Sequence, residues 1–162
     1  MAVGRFLTMI IVAAVALAAV AGLAGCSDNT HGEETTLKLI EPGEESSETF
    51  GLIGKATKKG VEPGNGFAFS TPLQDPSSKK KVGELVATCI ATKPSPGEAL
   101  HGQCNGTAIV PGGSLSLNVG GNVGNKVSGA ITGGTGKYAG ATGTFTSVGE
   151  KEQTDTYDIT LP

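Results

Sequence analysis

The chain contains no tryptophan, two tyrosines and five phenylalanines. With so few aromatic side chains, a core must be packed from small aliphatic ones, and stability needs a further source. Only two histidines are present, His31 and His101. Neither stands at a ligand spacing from the cysteines, so no metal site is expected. No Ser-His-Asp or Cys-His nucleophilic set can be assembled from them either. Basic charge is also scarce, with 12 Lys and Arg against 15 Asp and Glu. A weakly acidic chain has no electrostatic footprint for nucleic acid and no polybasic patch for anionic lipid. Beyond the N-terminus no stretch keeps a helical period. The 26 glycines interrupt every long window, and each interior Gly costs a helix about 1 kcal/mol against Ala.

What is there begins with an export signal. Arg5 gives a basic start, Phe6 to Ala21 is almost wholly apolar, and Leu23-Ala24-Gly25-Cys26 follows. Small residues after an apolar run mark a cleavage site. The Leu-x-Gly-Cys ending resembles a bacterial lipobox, with Cys26 as the lipidated first residue of the mature chain. A transmembrane anchor is the rival, since the run is nearly long enough to span a bilayer. The polar stretch after Gly25-Cys26 fits cleavage better than a stop-transfer flank. The expected organisation is a signal peptide over 1–25, a polar tether over 26–35 and one domain over 36–162. Such a protein is exported and lipid-anchored on the extracytoplasmic face of the cell membrane, with no other membrane contact.

Eight short alternating runs follow: 35–41, 48–57, 66–73, 81–92, 101–110, 113–119, a long glycine-broken run over 125–149, and 154–161. The long run reads as two strands split at a glycine turn. Short alternating runs joined by turn residues predict an all-β, eight-stranded antiparallel barrel, because closure removes exposed edges. With Cys26 lipidated, Cys89 and Cys104 remain as one pair in an oxidising setting. "KPSPGEA" between their runs suits a hairpin loop. Setting Cys89 opposite Cys104 puts Ile90 opposite Gln103 and Ala91 opposite Gly102. Cross-strand neighbours lie within disulfide reach, so a Cys89–Cys104 bond is expected.

"ITGGTGKYAGATGTFT", residues 131–146, invites a phosphate-binding reading, and context denies it. A Walker loop needs Gly and Ser/Thr where Ile131 and Tyr138 stand. A dinucleotide fingerprint needs a helix after it, whereas "GATGTFTSVG" reads as strand. The glycines instead suit a strand–turn–strand corner, with Gly133, Gly134 and Gly136 expected at positive φ. The stretch resembles the glycine-rich segment of the allene oxide cyclase and dirigent barrels. "GFAFSTPLQDPSSKKKVG" and "ATCIAT…GQCNGTAIVPGGSLSLNVGG" resemble, in order, other strands of that family. Together they span roughly 66–149. The resemblance implies a calycin-like barrel with an apolar cavity, no cofactor, and assembly as a homotrimer.

In the cyclase branch an acidic residue sits where the first strand reaches the cavity. Leu37, Leu39 and Glu41 share one face by the strand's period of two, which makes Glu41 the candidate inward carboxylate. Glu44 is a rival, and a solvated strand-end glutamate is the structural alternative. Phe67 and Phe69 share a face of their own run, and with Leu37 and Leu39 are expected to line the interior. Glu84 and Asp158 alternate with apolar neighbours, and either could point inward. Asp75 reads as turn chemistry.

Three functions stay open. The first is an anchored barrel that binds a small apolar molecule. The second is a cofactor-free cyclase or isomerase acting on such a molecule. The third is a structural or interaction barrel with no open cavity. An inward carboxylate favours the second.

Overall fold

A computed structural model describes residues 32–43, 49–57, 60–94 and 100–162. Cys26, His31 and Glu44 lie outside the described residues. The described chain is all strand and turn. The strands are β1 (Glu33–Glu41), β2 (Thr49–Ile53), β3 (Ala56–Thr57), β4 (Gly60–Val61), β5 (Gly66–Gln74) and β6 (Lys81–Ala91). They continue as β7 (Leu100–Val110), β8 (Gly113–Val123), β9 (Lys126–Gly136), β10 (Thr142–Val148) and β11 (Gln153–Leu161). The long run over 125–149 is indeed two strands, β9 and β10. β1 begins at Glu33, so the first strand takes in residues expected to belong to the tether.

Eight strands form the barrel wall in the order β1-β11-β10-β9-β8-β7-β6-β5, every neighbouring pair antiparallel. The wall closes where Ile40 of β1 meets Gln74 of β5. β2 lies along the first half of β5, from Thr49↔Ser70 to Ile53↔Gly66. β3 and β4 form a separate small hairpin. Bulges at Leu73/Gln74 and Ser116/Leu117 bend the wall, as bulges do at barrel corners.

Strand alternation decides what fills the interior. Leu37, Leu39 and Glu41 face inward from β1, and Asp155, Tyr157 and Ile159 from β11, in registers Leu37↔Tyr157 and Leu39↔Asp155. Leu73, Ala108, Leu115 and Tyr157 are wholly buried. The scarce aromatics are concentrated here: Phe145 and Tyr157 pack with centroids 5.1 Å apart. Phe67, Phe69 and Leu37 are only partly buried against this core. Glu84 and Asp158 do not point inward. Their neighbours Leu85, Tyr157 and Ile159 take the inner face, which leaves Glu84 on the outer wall bonded to Ser70 and Asp158 accepting from Thr36 at 2.8 Å. Asp75 caps its turn, accepting from the backbone N–H groups of Ser77 and Ser78.

Cys89 stands directly opposite Cys104, with Ile90↔Gln103 and Ala91↔Gly102, and the two cysteines are bonded. Both face the interior, 1% and 7% exposed. A cross-link closing a loop of this length is worth about 3 kcal/mol in the chain-entropy model. Reduction, or the Cys89→Ala/Cys104→Ala pair, is expected to lower the unfolding free energy by about 2–4 kcal/mol. Urea denaturation with and without reductant measures it. Two free thiols in the unfolded, unreduced protein would contradict the bond.

The glycine-rich stretch is the β9–turn–β10 corner. Gly136 has φ 61 and Gly140 φ 75. Gly133 and Gly134, expected at positive φ, are not there. Gly134 is needed for space instead: a Cβ on it would lie 2.5 Å from the Tyr138 carbonyl oxygen and 2.6 Å from that of Ser114. The corner folds Tyr138 into the core, 4% exposed, with Lys137 Nζ 4.8 Å from its ring centroid. Gly134→Val and Gly136→Val are therefore both expected to destabilise the barrel, the first by collision and the second by strain at positive φ as well. Thermal unfolding measures the loss; a variant that melts like the parent would refute the assignment.

Candidate functional site

β1, β10 and β11 are neighbours in the wall, and their registers put a group of polar side chains side by side on its inner face. Leu39 stands opposite Asp155, Glu41 opposite Gln153, and Ser147 opposite Asp155. Tyr157 follows Asp155 by two residues and so points the same way. Thr71 also faces inward from β5, 3% exposed. Closure brings β5 alongside as well, since Ile40↔Gln74 places Glu41 next to Leu73.

Asp155 is fully buried. Its Oδ2 accepts from the Tyr157 hydroxyl at 3.0 Å. Its Oδ1 has no donor as long as both carboxyls are ionised. Ser147 Oγ lies within reach of Gln153 Oε1, at 2.6 Å, and of the Asp155 carboxylate, and its one proton serves one of them at a time. Glu41 is a further neighbour of Asp155. Its carboxyl hydrogen-bonds to Asp155, and two carboxyls can share such a bond only when one of them is protonated.

The electrostatics assign that proton. Burial pushes Glu41 up, the Asp155 charge and their shared hydrogen bond push it further, and it reaches about 9. Burial also raises Asp155, while bonds from Ser147, Glu41 and Tyr157 hold it down. Tyr157 is raised well above its ordinary range by burial, and by the Asp155 charge next. Asp155 therefore loses its proton before Glu41 does, and between the two steps the pair shares one proton, held on Glu41, and one negative charge. Accessibility divides the roles. Asp155 and Tyr157 are sealed from solvent, whereas Glu41, the last residue of β1, remains part-exposed. Glu41 is thus the member of the pair nearer to solvent, with Asp155 behind it.

Of the residues singled out in the sequence, Glu41, Leu37, Leu39, Phe67 and Phe69 all face the interior, and Cys89–Cys104 is a cross-link in the wall. Asp155, Tyr157, Ser147 and Gln153 were not anticipated. A signal was present, because Asp155, Tyr157, Ile159 and Leu161 form one face of "QTDTYDITL" while Thr154, Thr156 and Asp158 form the other. No group of three or more His, Cys, Asp or Glu side chains suited to a metal ion occurs among the described residues. Two shallow grooves lie on the outer wall, one along Thr36, Thr144 and Asp158 and one along Lys81, Glu84 and Ile109, away from the carboxyl pair.

No protein-family profile matches the chain, and no curated protein matches its sequence. Solved structures do match. Pyocyanin demethylase superposes with TM-score 0.64 at 23% identity, over 78% of this chain and all of that one. The pterocarpan synthase dirigent protein GePTS1 gives 0.56 at 18%, over 80% of this chain and 89% of that one. The Diels Alderase AbmU from Streptomyces koyangensis gives 0.54 at 14%, over 80% of this chain and 64% of that one. The fold is a closed, dirigent-like antiparallel barrel.

The shared proton makes stability depend on pH. The folded value of Glu41, about 9, lies above its ordinary 4.5. The stabilisation is therefore complete below about 4.5 and is lost as pH rises through about 9. Asp155, also raised, acts in the same direction. Unfolding free energy measured by urea titration is expected to decline across that window, and Glu41→Gln, which keeps a donor toward Asp155, is expected to flatten the slope. An NMR titration placing the Glu41 carboxyl near 4.5 would refute the pairing.

Proposed function

We propose that this barrel is a cofactor-independent catalyst of cyclisation or isomerisation of a small apolar molecule, with Glu41 as general acid. The observation that carries this reading is the Glu41–Asp155 pair: a part-exposed protonated carboxyl backed by a buried charge inside an apolar barrel. Glu41 would donate its proton to an oxygen or nitrogen of the substrate as the bond rearranges. Asp155 and Tyr157 do not reach the mouth and would act as positioning residues. The Asp155 charge holds the proton on Glu41 until a stronger base arrives, and Tyr157 fixes the orientation of Asp155. Apolar walls keep out the water that would otherwise intercept a reactive intermediate.

The neighbouring folds support this reading at the level of architecture, since proteins titled as a demethylase, a pterocarpan synthase and a Diels Alderase share the barrel. A barrel that only contains a ligand has no use for a buried carboxyl pair, which is costly to hold in an apolar interior.

The test is a panel of apolar epoxides, incubated with the protein without added coenzyme and followed for rearrangement. Glu41→Gln is expected to lower the rate of the best substrate by about 10²–10⁴, the usual contribution of a general acid. The parent rate should fall as pH rises through about 9. Full activity in Glu41→Gln, or tight binding across the panel with no turnover, would overturn the catalytic reading and leave a container.

A further inference from the structure

β2 carries a second feature that the carboxyl pair does not use. Phe50 stands opposite Phe69, and Leu52 opposite Phe67, on β5. Directly opposed residues of an antiparallel pair point to the same side of the sheet. Phe67 and Phe69 face the barrel interior, so Phe50 and Leu52 continue that inner face beyond the closed wall. Phe50 stacks on Phe67 with centroids 5.6 Å apart, and Phe67 on Phe69 at 6.0 Å. Yet Phe50 and Leu52 are 62% and 60% exposed. Three of the five phenylalanines thus form one open apolar shelf.

Nothing in the internal undescribed segments is fit to cover it. Residues 44–48 read "EESSE", 58–59 "KK" and 95–99 "SPGEA", and none holds a large apolar side chain. The shelf shares one face of β5 with the candidate site, joined to it by the buried Thr71 and Leu73. Along β5 the inward residues are Phe67, Phe69, Thr71 and Leu73, and Leu73 lies beside Glu41. Four residues separate Leu73 from Phe69, about 13 Å at the strand's rise per residue.

We propose that Phe50, Leu52, Phe67 and Phe69 are the specificity-determining subsite for the apolar end of an elongated substrate whose hydrogen-bond-accepting end reaches Glu41. The substrate class is then a molecule with a carbonyl-type or ether-type oxygen at one end and an aromatic or bulky apolar group on the order of 13 Å away. A compact molecule reaches only one of the two subsites. A second copy of the chain fits less well, because the shelf lies on the concave inner side, where a protein surface would have to bridge the barrel mouth. The inference rests on the reading of Glu41 as the acid, and the test separates the two.

The probes are unbranched methyl ketones with and without a terminal phenyl group, on a long or a short methylene spacer, titrated calorimetrically. In the parent, the phenyl group on the long spacer is expected to add about ten-fold to a hundred-fold in affinity, the worth of burying an aromatic side group. On the short spacer it should add almost nothing. Phe50→Ala should abolish the phenyl advantage, and Leu52→Ser should reduce it, the advantage being the ratio of phenyl to plain ketone affinity within each protein. Both positions are exposed, so neither variant should lose the fold. A phenyl advantage that survives Phe50→Ala would overturn the proposal. So would an oligomer that dissociates on Phe50→Ala, seen by sedimentation, with ketone affinity unaltered, since a second copy would then occupy the shelf. If Phe50→Ala acts as expected while Glu41→Gln changes neither ketone affinity nor rearrangement rate, the shelf stands and the acid reading fails. The reverse result removes the shelf alone.

Discussion

One proton, held between Glu41 and Asp155, sets the terms for the interior of this barrel. Two ionised carboxylates there would each carry a desolvation penalty of several kcal/mol and would repel one another. A single proton removes one charge, turns Glu41 from acceptor to donor and lets it hydrogen-bond the Asp155 carboxylate. The remaining charge rests on Asp155, where the Tyr157 hydroxyl meets it at 3.0 Å. The arrangement in turn depends on strand register. A one-residue slip of β1 against β11 would turn Glu41 outward and bring Ile40 and Lys38 to the inner face.

The wall is least tied where this proton sits. Elsewhere neighbouring strands share ladders of six or more residue pairs, whereas β1 and β5 share one, Ile40↔Gln74. The exposed Lys79–Glu152 ion pair at 2.9 Å adds little, as surface pairs in water do. A short ladder opens locally at lower cost than a long one. Glu41, at the end of β1, therefore lies at the most weakly laddered seam of the described wall, and Asp155, on the next strand, lies behind it. The difference in accessibility between the two acids follows from topology before any side-chain detail.

Much of the architecture was legible in the sequence because a strand writes its two faces in alternate residues. That periodicity revealed the barrel strands and the shared face of Leu37, Leu39 and Glu41, while the pairing of the two remaining cysteines supplied the register of Cys89 against Cys104. It failed at two kinds of place. One was a choice of phase: in "QTDTYDITL" both faces carry an aspartate, and only the apolar company of Tyr157, Ile159 and Leu161 marks Asp155 as the inner one. The other was contact between distant segments. That Ser147 and Asp155 meet, or that Gly134 must be bare because Tyr138 folds back over it, depends on pairings that no local pattern encodes. β2 was visible as a strand, but its position beside β5 depends on where the wall closes.

The barrel is shared by proteins named for different reactions, so the fold does not choose a chemistry. The carboxyl pair narrows the choice. A carboxyl that keeps its proton up to about 9 is a poor base at neutral pH, because it is already protonated. It is a weak acid in isolation, yet in a water-excluded site it is well placed to follow charge as that charge develops on a substrate atom. On this reading the suitable reactions are those in which an oxygen or nitrogen becomes strongly basic only in the transition state, as in opening an epoxide. Abstraction of a proton from carbon would require Glu41 to start ionised, next to an Asp155 that already holds the negative charge. The same electrostatics that let two acids coexist in an apolar barrel thus favour donating a proton over removing one.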